Sequence, residues 1–204
     1  RAGRTEITMA DLEEASEKVQ MGPEKKSKVV PEDEKKMVAY HEVGHGIVGY
    51  IIGGGDRVHK ITMIPRGQAG GYTLSLPEEE KSFHSKKYML DRIARYFGGR
   101  AAEEIIFGKE NITDGAGSDI YYATLIAKDI VTKYGMTEKF GPVFLEATEE
   151  DYMLQRKYYS EQTGKEVDDE IRKIITEQYS RAKNILLDNR DKLEEVTNIL
   201  LEKE

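Results

Sequence analysis

The chain has 204 residues, 38% of them hydrophobic and 34% charged, which is enough for a real core in one or two domains. Its formal net charge is −7 and no basic stripe stands out, which argues against a nucleic-acid partner. There are no cysteines, so disulfides and thiolate metal sites are excluded, and no apolar run approaches the ~20 residues of a membrane span.

No secretory signal leads the chain, and its opening Arg1-Ala2-Gly3, without Met, suggests a fragment or a processed product. Abundant Glu and Lys, with no Cys or Trp, point towards a thermophile. Residues 1–22 are predicted to form a short helix with a lead-in. Thr8 is its cap, Asp11 lies three positions on, and Leu12, Ala15 and Val19 make a narrow apolar face. So short a helix has to pack on something. Gly22-Pro23 ends it, and the basic stretch Lys25 to Lys28 is expected to be an exposed linker.

A longer amphipathic helix runs from about Pro31 to Ile52. Pro31 suits the first helical position, and Glu32, Asp33 and Glu34 complement the positive end of its dipole. Gly53-Gly54-Gly55 terminates it. This helix carries His41-Glu42-Val43-Gly44-His45. Positions four apart share a helix face, so His41 and His45 can point at one metal ion. Val38, His41, His45, Val48 and Ile52 continue the stripe, which places both imidazoles on the face that the helix buries. Glu42 stands at its edge, where a carboxylate can hydrogen-bond a water held by the metal. A zinc ion needs at least one more protein ligand and an open position. A single His on an apolar face is more often a core residue than a ligand. Two at this spacing, with Glu after the first, are a far rarer pattern. The spacing alone does not separate a peptidase from a structural zinc site. Gly44 and Gly46 each cost about 1 kcal/mol relative to Ala. Close approach of another backbone near the metal is the expected reason for them.

Two short strands follow, His59 to Ile64 and Gly71 to Leu76, with Pro65 to Gly70 as a mobile loop between them. Such a ribbon is marginal alone and must lie on the helices. Its exposed edge offers an extended peptide a strand to pair with. A third helix is predicted from about Ser85 to Phe107, with Leu90, Ile93, Ala94, Phe97, Ala101 and Ile105 as its apolar stripe. A turn-rich loop spans Lys109 to Gly117, and its Asn111-Ile112-Thr113 sequon is taken as chance. A fourth helix opens at Ser118 or Asp119 and stops at Gly135, with Ala123, Ile126, Ala127 and Ile130 facing inward. After a looser segment, Met136 to Ala147, two helical runs close the chain. They span about Glu166 to Leu187 and Asp191 to Leu201, broken near Asp188-Asn189. The fold class is mainly α with a small β-ribbon.

The third metal ligand must be His, Asp or Glu. His59 and His84, the remaining histidines, suit a surface or strand-end position better. Asp119 follows Gly115-Ala116-Gly117-Ser118, a loop that would let its carboxylate approach the metal, although capping is the ordinary role of an Asp at a helix start.

Several motifs, in register over essentially the whole chain, resemble the proteolytic domain of the FtsH family of membrane-anchored, ATP-dependent AAA zinc metalloproteases. They are residues 4–22, Ala39 to His45, Ile64-Pro65-Arg66-Gly67-Gln68 with Gly70-Gly71, Gly98 to Gly108, and Gly115 to Ile120. The departures are small: Val43 and Gly46 stand where the family more often has Ala. The resemblance implies that 1–22 is the terminal helix of an upstream ATPase module, 23–30 a linker and 31–204 a zinc metalloprotease domain. It implies His41, His45 and Asp119 as ligands of one Zn2+ per subunit and Glu42 as catalytic base. The implied reaction is hydrolysis of peptide bonds by zinc-activated water, in unfolded or membrane proteins, inside a homo-hexamer. ATP would act only through the upstream module, since no phosphate loop occurs here. The whole protein would be anchored in the inner membrane with this domain on the cytoplasmic side, or on the matrix or stroma side in an organelle. The piece itself would be soluble.

Glu103 or Glu104 could orient an imidazole. A helical wheel sets Glu104 nearer the apolar stripe, and neither is assigned. Val167, Ile171, Ile174, Ile175, Ala182 and Ile185 offer the C-terminal helices an apolar side, for packing within or between subunits. Two alternatives stand beside this reading. A structural zinc module would take a fourth ligand from His59 or His84. A stand-alone peptidase would leave the N-terminal helix, with so little apolar surface, without a reason to exist.

Overall fold

The structure, a computed structural model, describes residues 6–24, 30–66, 70–79, 81–146, 153 and 159–204. Its helices are α1 (Met9–Met21), α2 (Glu32–Ile52), α3 (Lys86–Tyr96), α4 (Gly98–Phe107), α5 (Gly117–Thr132), α6 (Glu161–Asp188) and α7 (Arg190–Lys203). Strands β1 (Asp56–Thr62) and β2 (Tyr72–Pro77) form an antiparallel ribbon. The protein is therefore mainly α with a small β-ribbon, as its sequence patterns indicate.

α2 is surrounded on nearly every side. It packs on α4 and α7, and the ribbon lies along another flank. Ala39, Val43 and Val48 are fully enclosed, while His41 and His45 sit at the margin of the buried surface. The expected stripe is thus displaced. The deepest positions of α2 belong to helix packing, the imidazoles border a cleft, and Glu42 is more enclosed than the edge position expected of it. α6 crosses α3, α4 and α5, and its apolar side packs within the chain through Val167, Ile174, Ala182 and Leu186.

Three boundaries differ from expectation. The predicted third helix is two helices, α3 and α4, which meet at Phe97. The break lets Gly98 approach α2 so closely that a Cβ there would lie 2.6 Å from the Gly44 carbonyl oxygen, and one on Gly44 2.5 Å from the Gly98 oxygen. Gly44 therefore meets a backbone, as expected, whereas Gly46 faces the Ile61 side chain instead. β1 begins earlier than predicted, at Asp56, and a bulge lies between Val58 and Lys60. α6 begins at Glu161 because Ser160 caps it, accepting from the Thr163 amide at 3.1 Å.

α1 has the expected capping box between Thr8 and Asp11, but not the expected packing. Leu12 is 55% exposed, Val19 is 87% exposed, and Ala15 is exposed as well. Among the described side chains of α1, the enclosed one is Glu17. The expected Lys25–Lys28 linker and residues 67–69 of the loop expected to be mobile lie outside the described residues.

Candidate metal centre

Burial of a polar side chain is tolerated where every hydrogen-bonding group finds a partner. The His41 Nδ1 is 2.6 Å from Glu103 Oε1, and the His45 Nδ1 is 2.8 Å from the Arg95 carbonyl oxygen. A carbonyl can only accept, and the Glu103 carboxylate accepts as well, so both Nδ1 atoms carry the proton and donate it. This network turns both Nε2 atoms toward a single point, 3.1 Å from each other. The Arg95 carbonyl is available because it lies in the last turn of α3, where carbonyls lack partners in the helix ladder.

α5 brings the third group. Asp119 stands in its first turn, after the two 3₁₀ turns at Lys109–Asn111 and Asp114–Ala116. Its Oδ2 is 3.5 Å from His41 Nε2 and 3.4 Å from His45 Nε2. Two nitrogens and an oxygen held tetrahedrally at about 2.0–2.1 Å from one zinc would be roughly 3.3–3.4 Å apart. The donor set therefore fits the ion, and these three residues form the group able to hold a metal among the described residues. His59 and His84 do not join it. His59 is exposed at the β1 bulge, and His84 stacks on Tyr88 with ring centroids 4.5 Å apart.

Burial disfavours a charged His41, yet Asp119 and Glu103 outweigh it and push its pKa up to about 9. Burial also works against an ionised Asp119, but the His41 and His45 rings beside its Oδ2 hold its carboxyl well below the usual range. Glu42 goes the other way. Burial raises its pKa, and the neighbouring imidazoles and Thr73 only partly offset that. Thr73 Oγ1 is 2.9 Å from Glu42 Oε2 and 2.8 Å from the Glu42 carbonyl oxygen, which ties the carboxylate to β2.

The choice between Glu103 and Glu104 is plain in the structure. Glu103 is 1% exposed, reaches His41, and accepts from the Thr113 amide at 2.7 Å and the Thr113 hydroxyl at 3.1 Å. Glu104 turns away to Tyr179 and to Lys183, the latter at 2.7 Å, and joins α4 to α6. The wheel set Glu104 nearer the apolar stripe because it ran one helix through Phe97, where the α3–α4 break resets the phase. Sequence reasoning missed Thr73 and Thr113, which carry no motif of their own, and Gly99, where a Cβ would overlap the His41 ring. Thr113 lies within the dismissed sequon, and its hydroxyl is used by Glu103. The cleft in front of these groups has a volume of about 900 Å³. Residues 70–75 of the ribbon side form one wall, and α3 and α5 form the other.

A helix that presents two imidazole nitrogens and an adjacent carboxylate to one cleft is the arrangement of a metallopeptidase. The sequence pattern of Peptidase family M41 matches residues 28–204, and the chain belongs to that family. Over its full length it is 48% identical to the ATP-dependent zinc metalloprotease FtsH of Caldicellulosiruptor bescii, 45% to that of Bacillus subtilis and 44% to that of Thermotoga maritima. It spans about a third of the length of these relatives, 33–34%.

Proposed function

We propose that the protein is the zinc endopeptidase part of a longer ATP-dependent protease, with His41, His45 and Asp119 holding the ion and Glu42 acting as general base. The observation that carries this reading is the pair of fixed imidazole tautomers, whose Nε2 atoms meet the Asp119 carboxylate beside Glu42. When bound, zinc supplies a Lewis acid and brings the pKa of water to about 7. Glu42 takes the proton of the attacking water and returns it to the leaving amine. Thr73 occupies Oε2 of Glu42, so Oε1 is the oxygen left to carry that proton. Burial, by raising the pKa of Glu42, makes its carboxylate a stronger base. Glu103 and the Arg95 carbonyl keep the imidazoles from turning. The wall at residues 70–75 lets an extended, unfolded peptide lie along β2.

Residues 1–22 belong, in this reading, to the end of an upstream ATPase module, 23–30 to a linker and 31–204 to the protease. The exposed Ile7, Met9, Leu12 and Val19 of the α1 region support it, as apolar surface that a further module would cover. The relatives' names, which include ATP dependence, support it too. No helix among the described residues is long and apolar enough to cross a membrane. The membrane anchor, the six-membered ring, unfolded and membrane proteins as substrates, and the cytoplasmic, matrix or stromal side rest on the family resemblance. Casein cleavage with and without a chelator, followed by zinc add-back and sedimentation at several concentrations, tests the reading. Cleavage should vanish with the metal and return with zinc. A zinc-loaded protein that leaves casein intact would overturn the peptidase assignment. A strict monomer cleaving at full rate would overturn the ring.

A further inference from the structure

Among its described side chains, α1 is joined to the rest of the protein by a buried ion cluster. Glu17 is only 6% exposed on a helix whose described apolar residues face solvent, and Arg66, between β1 and β2, is only 4% exposed. Glu17 Oε2 is 3.0 Å from Arg66 Nη2, and its Oε1 is 2.7 Å from Lys60 Nζ on β1. Arg66 also reaches Glu24 at 2.7 Å, and the two backbones form an isolated antiparallel bridge. The Tyr72 hydroxyl is enclosed beside Glu17 without reaching hydrogen-bond geometry. Such a cluster stabilises weakly for the charge it buries, but it is exacting about geometry.

The neighbours of Tyr72 on β2 touch the catalytic helix. Gly71 lies against α2 so tightly that a Cβ there would be 2.9 Å from Val38 and 3.0 Å from Glu42. Thr73 binds the Glu42 carboxylate. Lys60 pairs across the ribbon with Leu74, so Glu17 holds β1 directly opposite the residue that follows Thr73, and β2 through the ladder. We propose that the Glu17–Arg66 ion pair is a positioning device, through which the seating of α1 sets the place of β2 and thereby the orientation of Glu42. Arg66 and Glu17 act through Thr73 and never touch substrate. This deepens the peptidase reading and rests on it.

The test uses the 204-residue protein in two variants, with zinc content verified in each. Glu17→Gln removes one anion from the cluster and leaves Arg66 its Glu24 partner. Glu17→Leu with Arg66→Met removes both buried charges, an exchange that tends to preserve or raise stability. For Glu17→Gln, kcat on an internally quenched peptide should fall several-fold with KM little changed, no more than the loss of the Thr73 hydroxyl itself would cost, because Glu17 acts through that one contact to Glu42. Amide exchange at Tyr72 to Leu74 should accelerate together with that of α1. The double variant should recover its thermal midpoint but not its kcat. Faster exchange confined to α1, or a kcat that recovers in step with the midpoint, overturns the proposal. If the zinc-loaded parent protein cleaves no peptide, the peptidase reading falls, and the exchange pattern alone still decides the coupling.

Discussion

The two walls of the cleft are built differently. The helical wall, α2 with α3, α4 and α5, holds its functional atoms by short bonds, across a crossing so close that only Gly44 and Gly98 fit. The ribbon wall is a two-stranded sheet, marginal by itself. It is fastened at its rim by Glu17 on one side. On the other, Glu204 accepts from the Thr62 hydroxyl at 2.8 Å and the Met63 amide at 2.7 Å. One wall suits the fixed geometry that a metal requires. The other suits a surface whose position responds to what lies outside it. Glu42 belongs to the first by its backbone and to the second by its side chain.

The sharpest way to test that division is Glu42→Gln. Cleavage should fall by roughly 10²–10⁴-fold, while zinc stays bound, because the amide is nearly isosteric and is not a ligand. Metal analysis of the purified variant decides it. Zinc loss would move Glu42 wholly into the helical wall as a ligand.

Asp119→Ala probes the helical wall directly. Zinc retention after dialysis against a mild chelator should drop by more than the ~10–100-fold that losing an orienting partner costs. His59→Ala and His84→Ala should keep their metal. The opposite pattern would transfer the third ligand to a histidine.

Glu103 and Glu104 are adjacent in sequence and opposite in expected effect. Glu103→Gln should weaken zinc binding about 10–100-fold, measured by competition with a chelator. Glu104→Gln should leave zinc affinity alone and cost about 1–3 kcal/mol of stability at neutral pH, since it breaks charged hydrogen bonds to α6. The Glu104 carboxyl is held below its ordinary 4.5 by Lys183 and then Tyr179. Its contribution is therefore complete above that value and is lost as pH falls through the lower folded value. Denaturation of both proteins across pH should show their stability difference closing in acid. A difference that persists unchanged would remove the ionic part of this link.

The smallest effect belongs to the ribbon. Thr73→Val removes a single hydroxyl and should cost about 1 kcal/mol of transition-state stabilisation, a several-fold loss in kcat. Zinc content should not change. If zinc falls as well, the two walls are not separable.

Local pattern carried much of this protein. The His41–His45 spacing, the Thr8 cap, the helix start near Ser85, the glycine stop after Ile52 and the break near Asn189 are visible in the chain because each depends on residues within a turn or two. The motif resemblance named Asp119, which residue physics alone had proposed only weakly. Tertiary structure decided the rest. The α3–α4 break follows from the approach of Gly98 to α2, a contact 54 positions away from Gly44 in the chain. The same break selects Glu103 over Glu104, and only the folded loop brings Thr113 to meet it. The apolar face of α1 gave no hint that the helix would be seated on Glu17. Where a charge ends up is set by the partners gathered around it, and Arg66 and Lys60 reach Glu17 from parts of the chain that share no local periodicity with it.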